Sequence, residues 1–128
     1  MPEIILIRGV PGSGKSTLAK TEFPDHKHFE ADMFFMKDGV YSYDPKQIKQ
    51  AHKWCQERAL EALNNGENVV VSNTFIKLWE MKIYMDMGFP FIVNQAVGEY
   101  PNSHNVDGET VKKMRERFEP YNQFVTKR

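Results

Sequence analysis

The sequence has a single cysteine, no excess of either charge and no long apolar run. The lone cysteine, Cys55, excludes a disulfide within the chain. Because 17 Lys and Arg residues balance 17 Asp and Glu residues, no overall field attracts nucleic acid or an anionic membrane. No apolar run reaches the roughly 18 residues of a membrane helix, and the first residues lack a charged region with a cleavage site. These absences predict a soluble, cytoplasmic protein with no membrane partner, in which any polynucleotide contact is local.

The pattern along the 128 residues predicts one domain, residues 1–128, of the α/β class. Strand and helix signals alternate, which is typical of a small parallel sheet with helices on both faces. About four strands are predicted, at residues 3–8, 27–30, 68–72 and 89–97, and four helices at 15–22, 45–65, 76–87 and from 108 to before Pro120. Asp44 is the predicted N-cap of the second helix. The aromatic passage from Met33 to Tyr43 is predicted to be the least regular stretch.

A phosphate-binding motif comes directly after the first predicted strand. Residues 9–17 read GVPGSGKST and fill the pattern G-x-x-x-x-G-K-[ST]. Glycines permit backbone conformations in which successive N–H groups turn inward around phosphate oxygens. The amine of Lys15 adds a charge for the β and γ phosphates, the hydroxyl of Ser16 suits Mg²⁺, and the helix that begins near Lys15 aims its positive end at the same oxygens. The predicted phosphate-binding residues are Gly9, Pro11, Gly12, Ser13, Gly14, Lys15, Ser16 and Thr17.

Polar residues follow the second and third predicted strands, and parallel sheets bind ligands at the carboxyl ends of their strands. Asp32 is a candidate base that accepts the proton of an acceptor hydroxyl during transfer, with a helix cap or a solvated turn residue as the alternative. Ser72, Asn73 and Thr74 stand where many P-loop enzymes have an aspartate, and no carboxylate is present there. Ser72 and Asn73 are predicted either to hydrogen-bond metal-bound water or to cap the third helix.

Five segments spread over nearly the whole chain carry a resemblance to a known family. They are LIRGVPGSGKSTLAK, ADMFF, YSYDPKQIKQAHKWCQERALEAL, VVVSNT and WEMKIYM. The chain resembles the polynucleotide-kinase-like P-loop kinases, and most closely the compact ATP-binding proteins related to Nedd-four-binding protein two. The resemblance implies ATP and Mg²⁺ as cofactors, a sheet of strand order 2-3-1-4, and phosphoryl transfer to a hydroxyl, with the 5′ end of DNA or RNA among the acceptors. It also matches Asp32 to the general base of such kinases.

Two positions depart from the pattern of the phage 5′-hydroxyl polynucleotide kinases, which are more distant members of this group. Phe35 stands where those kinases have an Arg that helps to hold substrate phosphate, and Pro101 stands at the position of a lid Arg that contacts the transferring phosphate. His104 matches a further lid position. Arg115 and Arg117 are candidate substitutes for the missing Arg, with a solvated helix face as the alternative.

Two classes of function stay open at this point. The first is a kinase that transfers the γ-phosphoryl group of ATP to a hydroxyl, with the 5′-hydroxyl of a polynucleotide ahead of a nucleoside, a small metabolite or a protein hydroxyl. The aromatic passage from Met33 to Tyr43 is a candidate surface for substrate, because bases stack on aromatic rings. The second is a nucleotide-binding regulatory module that has kept the phosphate loop, has lost efficient transfer and acts through a protein partner. The missing lid Arg and the missing aspartate favour the second.

Overall fold

The computed structural model describes residues 1–97, 108–117 and 125–127, which form an α/β structure. In chain order the elements are β1 (Ile4–Arg8), α1 (Lys15–Glu22), β2 (Lys27–Phe29), β3 (Met36–Lys37), β4 (Val40–Tyr41), α2 (Ile48–Asn64), β5 (Val69–Asn73), α3 (Leu78–Met85), β6 (Phe91–Ala96), α4 (Gly108–Arg117) and β7 (Val125–Lys127). Five strands form one sheet in the order β2-β5-β1-β6-β7, and every pairing in it is parallel. The strands β3 and β4 form a separate antiparallel hairpin.

This architecture confirms the predicted α/β class and the strand order that the resemblance implies. The four predicted strands correspond to β1, β2, β5 and β6, and their order is 2-3-1-4. The prediction of about four strands misses β7, which pairs with β6 at the edge of the sheet. Three residues, of which one is a lysine, give too short an alternation to indicate a strand. The third helix is also shorter than predicted, because it spans only Leu78–Met85.

The two central strands, β1 and β5, are buried along their whole length. Their side chains point alternately to the two faces of the sheet, so each strand contributes to both hydrophobic clusters. Leu6 and Val71 pack in the cluster that includes α2, whereas Ile7 and Val70 pack in the cluster that includes α1. Because Arg8 pairs with Asn73 across the two strands, the carboxyl ends of β1 and β5 lie at the same level. Residues that follow these strands therefore meet at one edge of the sheet.

The helix α2 packs one face against the sheet, and its first residue is partly exposed. Ala51, Cys55, Ala59 and Leu63 recur every four residues and are buried, as the helical spacing predicts. Ile48, the first residue of α2, is 38% exposed, although the same helical spacing predicts that it faces the sheet. Asp44 caps the start of this segment as predicted, because its carboxylate accepts the N–H of Lys46 at 3.0 Å, but the first turn, Pro45–Gln47, is a 3₁₀ turn that runs directly into α2. Neither α2 nor any other helix in the described ranges has the length and apolar character to cross a membrane.

The passage predicted to be irregular contains the hairpin of β3 and β4. Asp38 and Gly39 form its two-residue turn, with φ angles of 52° and 79°. Positive φ at both central positions matches the twist of the flanking strands, and Asp-Gly is a preferred pair for such a turn. The hairpin carries Tyr41 back toward the end of β2, and the N–H of Ser42 donates to the carbonyl of Phe35 at 2.9 Å.

The segment after β5 is held by a buried arginine at the end of β1. Arg8 is 1% exposed, and its Nη2 atom donates to the carbonyl oxygens of Phe75 at 2.6 Å and Ile76 at 3.1 Å. Phe75 has a φ of 49°, a left-handed conformation that a bulky residue rarely adopts. Arg8 thereby fixes the path of the chain directly beyond Thr74.

Candidate functional site

The phosphate loop connects β1 to α1 and takes the conformation that its glycines were predicted to allow. Gly12 and Gly14 have φ angles of 83° and 88°, which side chains with a Cβ avoid. Gly14 is the N-cap of α1, and its carbonyl accepts the N–H of Leu18 at 2.8 Å. The first helical residue is Lys15, so the positive end of the helix dipole points at the loop. Among the predicted phosphate-binding residues, Thr17 is exposed, and Pro11, Lys15 and Ser16 line a cavity.

Gly9 is required because a side chain at this position would not fit, and not because its φ is unusual. A Cβ at this position would collide with Oγ of Ser13 and would lie 3.2 Å from the carbonyl oxygen of Ala96. Ser13 itself is buried, and its hydroxyl has no hydrogen-bond partner among the described residues. The loop is therefore packed tightly against β6 on its inner side.

Gly9→Ala is expected to lower the free energy of unfolding by about 1–3 kcal/mol, because an extra carbon in a packed position forces its neighbours apart. ATP affinity should fall as well, since the displaced Ser13 belongs to the phosphate loop. Chemical denaturation and calorimetry with ATP measure the two effects. Gly9→Ala combined with Ser13→Ala removes the closest contact and should recover part of both losses. Equal losses in the single and double variants would show that the contact with Ser13 is not the cause.

Glu30, the residue directly after β2, contacts the phosphate loop. Its Oε1 atom accepts hydrogen bonds from the hydroxyl of Ser16 and, at 2.8 Å, from the hydroxyl of Ser72. The Nε2 atom of His28 lies 3.2 Å from the same oxygen and 2.7 Å from Oγ of Ser72. Burial raises the pKa of the Glu30 carboxyl, but the hydrogen bonds from His28, Ser16 and Ser72 outweigh burial and bring the pKa to about 2. Glu30 is therefore ionised at neutral pH although its side chain is only 15% exposed.

The ammonium group of Lys15 lies in the field of two carboxylates. Burial lowers its pKa from the ordinary value of 10.5, and the negative charges of Glu30 and Asp32 act in the opposite direction. Because the net pKa is lowered, the folded protein holds this charge at a cost in free energy. A phosphate anion beside Lys15 would offset that cost.

Asp32 belongs to a 3₁₀ turn, Ala31–Phe35, that follows β2. The hydroxyl of Tyr41 donates a hydrogen bond to its Oδ1 atom at 3.2 Å. Burial, then the charge of Asp32 and the hydrogen bond to it, raise the pKa of Tyr41 to about 12. The phenol therefore stays protonated at neutral pH and donates to the carboxylate. This bond ties the candidate base to the hairpin of β3 and β4.

One cavity of about 400 Å³ joins these groups, a volume typical of sites for small molecules and cofactors. One side is formed by the phosphate loop, with Lys15 and Ser16, and the other by the aromatic rings of Tyr41 and Tyr43. Asp32 and Thr74, which follow β2 and β5, lie on the wall as well. Among the described residues that line the cavity, Lys15 is the only Lys or Arg. The cavity therefore has a polar end at the loop and a largely apolar end at the hairpin.

Eight of the residues singled out from the sequence meet at this cavity. Those that line it are Pro11, Lys15, Ser16, Asp32, Phe35, Ser72, Asn73 and Thr74. Phe35 is only 3% exposed and packs edge-on against Tyr43, with ring centroids 5.2 Å apart, so it mainly supports the hairpin. The candidate substitute Arg117 is exposed on α4 and does not line the cavity. His104, Pro101 and the side chain of Arg115 lie outside the described residues.

The proposal that Ser72 and Asn73 cap the third helix is wrong. The helix α3 begins after Lys77, whose N–H donates to Oε1 of Glu80 at 2.8 Å. Asn73 instead accepts the N–H of Ala31 at 2.9 Å through Oδ1, which fixes the start of the turn that carries Asp32. Ser72 bonds to Glu30, as described above.

Glu30 is not among the residues that the sequence patterns single out. Its signal was an acidic residue at the end of the second predicted strand, two positions before Asp32. Both residues stand at the carboxyl end of that strand, where parallel sheets bind their ligands, so Glu30 could be expected near the same site as Asp32. The contact between Glu30 and Ser72 also requires β2 to lie beside β5, because Ser72 belongs to that neighbouring strand.

The residues at the phosphate loop fit a magnesium ion. Mg²⁺ prefers oxygen ligands and usually shares them with the phosphates of a nucleotide. The hydroxyl of Ser16 lies at the start of α1 on the cavity wall, where such phosphates would be cradled. In the part of the chain that the structure describes, no group of three or more His, Cys, Asp and Glu side chains could hold a metal.

The phosphate loop and the parallel sheet of order 2-3-1-4 define a protein of the P-loop kinase-like class. The chain belongs to the AAA domain family, whose model matches residues 4–94. It is 31% identical to human NEDD4-binding protein 2 over an alignment of 138 positions, which covers 96% of this chain. The chain spans only 8% of the length of that relative.

Solved structures with the same fold include proteins of different function. A chain of the Pnkp1/Rnl/Hen1 RNA repair complex is similar with a TM-score of 0.62 and 20% identity, over 97% of this chain and 40% of that one. A gluconokinase from Sinorhizobium meliloti 1021 is similar with a TM-score of 0.58 and 17% identity, over 98% of this chain and 81% of that one. At these identities the likeness shows the fold alone.

Proposed function

We propose that this chain is an ATP-dependent kinase that transfers the γ-phosphoryl group to a hydroxyl, with the 5′-hydroxyl of a polynucleotide as the leading acceptor. One observation carries the proposal. The phosphate loop and Asp32 line the same cavity, although Asp32 comes from a different strand. A phosphate donor and a base that share one cavity are what transfer to a hydroxyl requires.

The phosphate loop supplies the binding of the donor. The backbone N–H groups of the phosphate loop, other than at Pro11, which has none, and the positive end of α1 would face the β and γ phosphates, and the ammonium of Lys15 would neutralise part of their charge. Ser16 is the residue that would hold Mg²⁺, which when bound offsets charge on the phosphates. Burial already favours pairing of Lys15 with an anion.

Asp32 supplies the base for the acceptor. In the transfer, a bond forms between the acceptor oxygen and the γ phosphorus while the bond from that phosphorus to the β,γ-bridging oxygen breaks. The acceptor proton moves to the carboxylate of Asp32, and ADP leaves with the electron pair of the broken bond. Tyr41 holds the carboxylate in place through its hydrogen bond of 3.2 Å to Oδ1.

The apolar end of the cavity favours an acceptor with a planar base. The rings of Tyr41 and Tyr43 are nearly parallel, with an interplanar angle of 14°, and 51% of Tyr43 is exposed. Aromatic side chains of this kind stack on the bases of single-stranded nucleic acid. The similarity to a chain of an RNA repair complex is consistent with such an acceptor.

Two observations favour other functions for this chain. Lys15 is the only Lys or Arg among the described lining residues, which is what a nucleotide-binding regulatory module that has lost efficient transfer would show. The similarity to a gluconokinase fits a kinase of a small metabolite. Both remain alternatives to the polynucleotide kinase.

A transfer assay with γ-labelled ATP and Mg²⁺ tests the proposal. The acceptors are an oligonucleotide with a 5′-hydroxyl, the same oligonucleotide with a 5′-phosphate, a nucleoside and a pool of small metabolites. We expect label on the 5′-hydroxyl oligonucleotide and none on its 5′-phosphorylated form. Label on the nucleoside or metabolites alone would show that the acceptor is a small molecule and not a polynucleotide. ATP binding without transfer to any acceptor would contradict the kinase proposal and favour the regulatory module.

A further inference from the structure

The end of β5 lacks the carboxylate that many P-loop enzymes place there. The residues at this position are Ser72, Asn73 and then Thr74. In such enzymes an aspartate at this point helps to hold Mg²⁺ beside the Ser or Thr of the phosphate loop. The hydroxyl of Ser72 is neutral, so the chain needs another source of negative charge if it binds Mg²⁺ in the same place.

The carboxylate of Glu30 lies where that charge is missing. Its Oε1 atom accepts hydrogen bonds from Ser16 on the phosphate loop and from Ser72 at the end of β5. The distance from Ser72 is 2.8 Å, so the Glu30 oxygen occupies the space directly beyond the Ser72 hydroxyl. The carboxylate therefore reaches from β2 across the end of β5 to the loop.

Neighbouring side chains hold the Glu30 carboxylate in this position. The Nε2 atom of His28 lies 3.2 Å from Oε1 of Glu30 and 2.7 Å from Oγ of Ser72. His28 and Glu30 are two residues apart on an extended segment, so they point to the same side. His28 and Ser72 are thus positioning residues for Glu30.

Electrostatics give a second argument. A buried carboxylate beside the phosphate loop repels the negatively charged phosphates that the loop is built to bind, and this repulsion is strong where water is scarce. One ammonium, that of Lys15, faces both Glu30 and Asp32. A divalent cation between Glu30 and the phosphates converts the repulsion into attraction.

We propose that Glu30 supplies the carboxylate of the Mg²⁺ site, in place of the aspartate that is absent after β5, with Ser16 as the neighbouring ligand. The proposal rests on the nucleotide binding of the proposed function but does not need phosphoryl transfer. One carboxylate and one hydroxyl bind Mg²⁺ weakly by themselves, so the ion arrives with the nucleotide.

Calorimetry with ADP in the presence of Mg²⁺ or of EDTA tests the role of Glu30. The quantity measured is the Mg²⁺ increment, the factor by which Mg²⁺ tightens ADP binding. Glu30→Gln should reduce this increment by about tenfold or more, the scale on which metal sites respond to loss of a supporting group. In EDTA the same variant should bind ADP at least as tightly as the wild type, because a repulsive charge has been removed. The matched control is Glu57→Gln, on an exposed part of α2, which should leave both affinities unchanged.

Two further variants keep the test decisive. Glu30→Gln combined with Ser72→Asp returns a carboxylate to the end of β5 and should restore the increment. If Glu30→Gln alone does not fold, Glu30→Gln combined with His28→Gln replaces both side chains of this contact and should show the same loss of the increment. An unchanged Mg²⁺ increment in either Glu30 variant would overturn the proposal and leave Glu30 as the structural partner of His28. That result would not affect the kinase proposal, which the transfer assay tests separately.

Discussion

Lys15→Ala should weaken ATP binding by about 10- to 100-fold, because a hydrogen bond to a charged group contributes about 1.5–3 kcal/mol. Loss of the ammonium also leaves Glu30 and Asp32 facing the phosphates without the charge that opposes them. Stability should not fall in parallel. Burial lowers the pKa of Lys15, so the folded protein holds this charge at a cost, and its removal should leave the thermal midpoint unchanged or raised.

Calorimetry with ATP and thermal unfolding measure the two effects of Lys15→Ala. The matched control is Lys20→Ala, because Lys20 lies on the same helix and is exposed. That control should change neither ATP affinity nor the thermal midpoint by much. Unchanged ATP affinity in Lys15→Ala would mean that the phosphates bind somewhere other than the loop.

Asp32→Asn should reduce phosphoryl transfer by about 10²- to 10⁴-fold, the contribution typical of a positioned general base. ATP affinity should stay within about threefold of the wild type, since the amide keeps the shape of the side chain and the phosphate loop is untouched. The hydrogen bond from Tyr41 can persist because the amide oxygen still accepts it. The expected result is therefore a loss of rate with little loss of binding, measured by single-turnover transfer and by calorimetry.

Asp38, in the turn between β3 and β4, provides the control. Asp38 lies at the tip of the turn, and in the variant Asp38→Asn the asparagine tolerates the φ of 52° at this position. This variant should transfer phosphate at the rate of the wild type. If Asp32→Asn also kept that rate, Asp32 would not be the base and its carboxylate would have only the structural role of fixing Tyr41.

The phosphate loop could be predicted from the sequence because its structure is local. Gly12 and Gly14 adopt positive φ angles, and the helix begins where the motif places it, at Lys15. The strand order, by contrast, is not determined by local sequence. Its prediction followed from the resemblance to a family and not from the alternation of strands and helices. The hairpin turn at Asp38 and Gly39 is local too, since Asp-Gly is itself a signal for such a turn.

The Glu30 network could not be predicted in the same way because it depends on contacts distant in sequence. Ser16, Glu30 and Ser72 come from three different segments, and they meet only because β2 pairs with β5 and β5 pairs with β1. The neutral residues at the end of β5 indicate that a carboxylate is missing there. The fold instead brings the carboxylate of Glu30 to this point from the end of β2, the neighbouring strand in the sheet. The exposure of Ile48 and the fifth strand β7 also depend on packing between segments, which the pattern within each segment does not determine.

A crystal structure with Mg²⁺ and a non-hydrolysable ATP analogue tests the central claim most directly. The triphosphate is expected to lie against the backbone N–H groups of the phosphate loop, with the γ phosphate beside Lys15 and directed toward Asp32. A nucleotide bound elsewhere on the protein, or bound in the loop with its γ phosphate directed away from Asp32, would contradict it.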